Sequence, residues 1–172
     1  MDMELELLLD RQSIHDATVR YCRGIDRLDV DLVRSAYHDD GFDDHGLYRG
    51  RIDVVAEQLI SALRGQFTSH SHLISNQSIS LRGRHAHVET YFVAIHVRDS
   101  DGQGSQSTVT GRYVDSFEKR KGNWRISRRV VVYDSRRVDA IGSHGLSELG
   151  DVVRGRRDKE DPSYRLDGMT GS

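Results

Sequence analysis

The chain has 172 residues, 36% hydrophobic and 30% charged, which suits one domain with a proper core. Its 25 basic and 27 acidic residues leave a formal net charge of -2 and are mixed along the chain, so no bias toward nucleic acid or an anionic membrane is expected. No apolar run approaches the roughly 20 residues needed to span a bilayer.

The N-terminal stretch MDMELELLLD is acidic with only a short apolar patch, unlike a secretory signal. Residues 5–27 have helical period, with Ile14, Ala17, Tyr21 and Ile25 on one stripe and Thr18 and Cys22 flanking it. Cys22 is the only cysteine. That excludes an internal disulfide and a multi-cysteine zinc site, and it fits a reducing, cytoplasmic setting. GIDRLD ends this helix, and VDLVRSAY (30–37) reads as a short second one. HDDGFDDHGLYRG (38–50) is turn-rich with a short strand ending at Gly50; its acidic cluster DDGFDDHG (39–46) reads as a solvated turn before it reads as a hard-cation site. Residues 51–65 form a third, amphipathic helix, with Val54, Val55, Leu59 and Ala62 on its apolar side and Gly65 as its stop.

The pattern then changes to long strands over 70–82, 85–99, 106–120 and 123–138, separated by LRGRH, RDSDGQG and KRKGN. Val130 to Tyr133 are apolar on both faces, as in a sheet covered on both sides. Residues 1–150 make the domain. Residues 151–172 are polar, carry the only proline, and are expected to be a mobile tail or an arm lying on a neighbouring subunit. Three helices followed by an antiparallel meander give an α+β fold, with helices packed in a curved sheet and a ligand pocket open at one end.

YCRGID at the end of the first helix, HLISN opening a strand, and GRYVDSFEKRKGNWRISRR together resemble the SnoaL-like branch of the NTF2-like superfamily over residues 8 to 140. The pattern is most similar to hexachlorocyclohexane dehydrochlorinase, scytalone dehydratase and the bile acid 7α-dehydratases. The resemblance implies a cone-shaped α+β barrel with a catalytic dyad at Asp26 and His72, Asp26 holding the histidine. It carries an arginine onto Arg129. The position that is lysine in the dehydrochlorinase and tyrosine in the bile acid dehydratases is Tyr21 here, which leans toward an oxygen leaving group. It also implies an oligomer, a trimer before a dimer.

The residue types suit elimination or isomerisation on their own chemistry. A histidine has a reference pKa of about 6.5, close to the working pH. A carboxylate on its second nitrogen fixes the tautomer and steadies the imidazolium. Arg129 can stabilise developing negative charge, and Tyr21 can donate to a leaving or carbonyl oxygen. Asn76, four residues after His72, is expected to share its strand face and bind substrate, with His45 at the pocket rim. Structural roles explain the same residues: Tyr21 as core, Asp26 as a helix-end charge, His70 as a rim residue. Tyr21 and Asp26 are separated by about 140° on an ideal helix. Arg128 and Arg129 point to opposite faces, and alternation does not say which is inward.

His70 and His72 share one strand face, as do His85 and His87 on the next strand, and such pairs can build an imidazole site. No third-ligand spacing accompanies them, so neither metal nor cofactor is expected. The expectation is a cofactor-independent lyase or isomerase acting on a hydrophobic, cyclic small molecule. The alternative is a non-catalytic ligand carrier or accessory subunit resembling the β subunits of ring-hydroxylating dioxygenases. Apolar residues on both sheet faces (Val93, Ile95 and Val97 against Phe92 and Ala94) also point to a homo-oligomer.

Overall fold

A computed structural model describes residues 3–98, 104–141 and 150–165. Helix α1 (Met3–Asp26) buries Ile14, Ala17, Tyr21 and Ile25, the stripe its period predicts. Asp29 caps α2 (Val30–Ser35) by accepting the Leu32 N–H. The two helices meet at Gly24, where an added Cβ would lie 2.7 Å from the Val33 nitrogen, so the residue has room for no side chain. Helix α3 (Ile52–Gln66) buries Val55, Ala56, Leu59 and Ile60. Val54, expected on its apolar side, is 55% exposed.

The strands are β1 (Tyr37–Asp44), β2 (Arg49–Arg51), β3 (Ser69–Arg82), β4 (His85–Arg98), β5 (Gly104–Arg120) and β6 (Asn123–Ile141). They form one sheet in the order β2-β1-β6-β5-β4-β3. β3 to β6 are the expected antiparallel meander. Between β5 and β6, Lys121 and Gly122 both take positive φ, the two-residue hairpin geometry that matches strand twist. The turn between β4 and β5 falls largely on residues 99–103, outside the described residues.

The segment read as a solvated turn is instead strand β1, running parallel to β6 with Asp43 opposite Arg129. Phe42 and Asp44 are partly buried, and Asp43 is wholly buried. A parallel partner some 85 residues downstream, rather than local propensity, holds this polar sequence extended.

The helices lie in the concave face of the sheet, where Tyr21 packs edge-on against Tyr113 and Tyr37 at centroid distances of 5.7 and 6.0 Å. Gly111 sits at a β5 irregularity, and a Cβ there would come within 2.2 Å of the Val132 carbonyl oxygen. Residues 150–165, most of which belong to the segment expected to be a mobile tail or an arm on a neighbouring subunit, fold back on the chain's own α1–α2 corner. Asp161, 4% exposed, accepts the backbone N–H groups of Arg156 and Ser163 and pairs with Arg27. Tyr164 donates to Asp29 and lies under the Arg23 guanidinium. Residues 166–172 lie outside the described residues. Among the described residues no helix is long and apolar enough to cross a membrane.

Candidate active site

The last residue of α1 and the start of β3 meet at the wall of a cavity of about 290 Å³. His72 donates Nδ1–H to Asp26 Oδ1 at 2.8 Å, and its backbone N–H reaches Asp26 Oδ2 at 3.1 Å. Two bonds to one carboxylate fix both the ring and the strand that carries it. Because Nδ1–H is engaged, Nε2 is the nitrogen left with a lone pair. His72 lines the cavity, and Asp26 lies behind it on the outer side. This resolves the angular conflict between Tyr21 and Asp26. They do not converge on one space: Tyr21 faces the cavity and Asp26 reaches it only through His72.

The cavity wall is mainly apolar, with Leu59, Leu63, Phe67, Phe92, Val109 and Val131 contributing. Its polar groups come from two sides. On one side stand His72 and His96, with ring centroids 5.5 Å apart. Burial, with His72 and His70 as neighbours of like charge, pushes the His96 imidazole down to about 4, so it is neutral at ordinary pH. His96 was not singled out from the sequence. Strand alternation offered the signal, since Phe92, Ala94 and His96 share one face of β4.

On the other side stand Tyr21 and His45. The Tyr21 hydroxyl lies 3.1 Å from His45 Nε2. His45 Nδ1 is hydrogen-bonded to Asp43, which also accepts the Tyr37 hydroxyl. Burial, with Asp43 adding to it, raises the Tyr21 phenol well above its ordinary value, so it stays protonated.

Arg129 does not line this cavity. Of the two adjacent arginines it is the inward one, while Arg128 stacks on Phe42 with its guanidinium carbon 4.8 Å from the ring centroid. Arg129 is fully buried, donating from Nε and Nη2 to Asp115 at 2.8 and 2.7 Å. Its guanidinium carbon sits 4.2 Å from the Tyr21 ring centroid and 4.0 Å from that of Tyr113. Arg129 therefore does not face the cavity directly: two aromatic rings and a carboxylate enclose it.

Asn76 does not share the strand face of His72. β3 shifts register between Ile74 and Gln77, and this bulge breaks the alternation. Asn76 is exposed, whereas Gln77 turns inward and donates to Thr90 and Thr18 at 3.0 and 3.3 Å. His70 is buried rather than at the rim, donating Nε2–H to the Ile25 carbonyl at 2.9 Å. It lies opposite His96 in the sheet, while His85 and His87 sit at the other end of the β3–β4 hairpin, so the two histidine pairs do not meet. No group of three metal-ligating side chains occurs among the described residues.

The sequence profile of the SnoaL-like domain matches residues 6–130. No curated protein matches the chain in sequence. Among solved structures, a scytalone dehydratase candidate from Novosphingobium aromaticivorans is 20% identical, with a TM-score of 0.69 over 83% of this chain and 98% of that one. A type 2 hexachlorocyclohexane dehydrochlorinase, LinA, is 17% identical, with a TM-score of 0.70 over 86% of this chain and 99% of its own. An NTF2-like protein with a cystatin-like fold, also from Novosphingobium aromaticivorans, is 20% identical with a TM-score of 0.61, covering 87% and 94% of the two chains. At these identities the likeness concerns the fold, which is the NTF2-like cone of helices in a curved sheet. With residues 6–130 of its 172 matched by the family profile, the chain belongs to the SnoaL-like domain family.

Proposed function

We propose that the protein is a cofactor-independent lyase, or an isomerase of the same chemistry, acting on a small hydrophobic cyclic molecule. The carrying observation is the Asp26–His72 hydrogen bond of 2.8 Å at the wall of an apolar cavity. His72 Nε2 takes a proton from a carbon beside an activating carbonyl, and Asp26 steadies the imidazolium that results. The electrons of the broken C–H bond expel a neighbouring group, or the proton returns to another carbon in isomerisation. Tyr21 lies across the cavity and donates to the oxygen that gains charge. Arg129 acts through Tyr21, holding its ring from behind. We assign no substrate contact to Asn76. Neighbours named as a dehydratase candidate and a dehydrochlorinase share this fold and support the reaction class.

Exposed Leu73 and Tyr91 on the outer sheet face support a homo-oligomer, with a trimer favoured. Sedimentation equilibrium at three times the chain mass is the expected result. For the chemistry, a panel of cyclic β-hydroxy ketones is assayed for enone formation. His72→Ala and Asp26→Asn should each lower turnover by about 100-fold or more while the protein stays folded. Unchanged turnover in either variant would refute the dyad, whereas a carrier or accessory subunit needs no dyad and would turn over none of the panel.

A further inference from the structure

His45 belongs to a second histidine–aspartate pair, which proton abstraction by His72 does not use. Four groups run from the core to the cavity in one hydrogen-bonded chain: Tyr37 to Asp43, Asp43 to His45, His45 to Tyr21. Asp43 is wholly buried, whereas His45 and Tyr21 line the same cavity as His72. Placing a carboxylate, an imidazole and two phenols in the core is costly unless all are satisfied, and here each has a partner.

Charged and titratable groups face His45 from several elements. Asp43 faces it from its own strand segment, Tyr21 from α1, and the field of Asp115 reaches it from β5. Arg129 of β6 is stacked behind Tyr21, and Tyr48 and Tyr133 share the cavity wall. Burial works to raise the Asp43 carboxyl, but His45, Arg129 and the Tyr37 hydroxyl outweigh it and hold it below its ordinary value.

Resting on the assignment of His72 as base, we propose that Tyr21, His45 and Asp43 are the acid arm of the same site, and that the leaving group is a hydroxyl β to a carbonyl. Halide departs as an anion and needs no proton donor; hydroxide must be protonated to leave. His72 Nε2 takes the carbon-bound proton, the C–H pair becomes the new π bond, and the C–O bond breaks. The departing oxygen takes the Tyr21 hydroxyl proton and leaves as water, while Tyr21 takes the Nε2 proton of His45. Neutral His45 keeps its Nδ1–H on Asp43. Return of one proton from His72 to His45 through solvent restores both arms. Tyr21 and His45 are catalytic in this assignment, and Asp43 is a positioning residue that holds the His45 ring with Nε2 toward Tyr21.

The test compares a β-hydroxycyclohexanone with its β-(para-nitrophenoxy) analogue, whose leaving group departs as a stable anion. His45→Phe should lower kcat/KM on the hydroxy compound by about 100-fold and leave the nitrophenoxy compound within about threefold. His72→Ala should lower both. Equal losses on the two compounds in His45→Phe, or no loss on either, would overturn the acid arm and leave the base in place. Wild-type protein that turns over neither compound would overturn the base assignment and the acid arm with it. Where His45→Phe does not fold, Asp43→Asn keeps the side-chain shape and is read on the same two compounds. It should lower kcat/KM on the hydroxy compound by about tenfold or more and leave the nitrophenoxy compound within about threefold. Equal losses on the two compounds, or no loss on either, refute the assignment.

Discussion

Replacing Arg129 with methionine tests whether this side chain supports the site or takes part in it. The substitution keeps much of the apolar stem volume and removes the charge. It leaves the Asp115 carboxylate wholly buried without the partner that meets both of its oxygens at 2.8 and 2.7 Å. An uncompensated buried charge of this kind costs about 3–5 kcal/mol. Loss of the cation from between Tyr21 and Tyr113 adds about 1–2 kcal/mol more. One term opposes these: Arg129 Nη1 is buried without a partner, and removing it relieves about 1–3 kcal/mol. The balance is a destabilisation of about 3–4 kcal/mol, a large share of the roughly 5–15 kcal/mol that holds a typical domain. Urea unfolding followed by tryptophan fluorescence reads it directly, because the only tryptophan, Trp124, is buried on β6. Adding Asp115→Leu removes the stranded carboxylate, so the double variant should recover to within about 1–2 kcal/mol of the parent. A single variant that loses less than about 1 kcal/mol refutes the reasoning. A double variant with parental stability but no turnover would mean that the charge of Arg129 itself serves the chemistry.

Three other outcomes follow from the geometry. His96, neutral in the folded protein down to about pH 4, takes up a proton on unfolding near its ordinary value of 6.5. The unfolded state therefore binds more protons between those values, and stability should fall as pH drops from 6.5 toward 4; His96→Phe should flatten that slope in urea titrations at stepped pH. Gly111→Ala forces a methyl to within 2.2 Å of the Val132 carbonyl and 2.8 Å of the Phe92 ring, and should cost about 2 kcal/mol or more, read as a lowered melting temperature. Asp161→Ala removes the acceptor of two backbone N–H groups and the partner of Arg27, and should speed tryptic cleavage at Arg154, Arg156 and Arg157 without moving the main unfolding transition.

What could be read from the sequence divides by the range of the interaction that fixes it. The four meander strands and three helices follow from local period and turn residues, and their bounds agree within a few residues. The strand carrying Asp43 did not follow, because YHDDGFDD has no strand propensity of its own. It is extended by parallel pairing to β6, with Phe42 opposite Arg128 and Asp43 opposite Arg129. The same distance hid the place of Arg129. Alternation gave two arginines on two faces, and only the buried Asp115 across β5–β6 selects which one turns in.

Asn76 failed for a different reason: one extra residue in β3 shifts the side-chain parity, and a period-2 argument carries that error to every later position on the strand. The bulge has a constructive consequence. It brings Gln77 under α1, where it bonds Thr18 and Thr90 and lies 3.2 Å from His15, so the helix is tied to β3 five residues beyond His72. At the other end of the same contact, Asp26 ties the helix to His72 through backbone and ring together. With His70 donating to the Ile25 carbonyl as well, helix α1 is thus held to β3 on both sides of His72. The proposed base, its aim set by a single carboxylate, needs such a clamp, since displacement of α1 along β3 would separate Asp26 from His72 before it disturbed the apolar core. The polar residues of β3 that carry no chemistry therefore bear on function as well, by setting the register in which Asp26 and His72 meet.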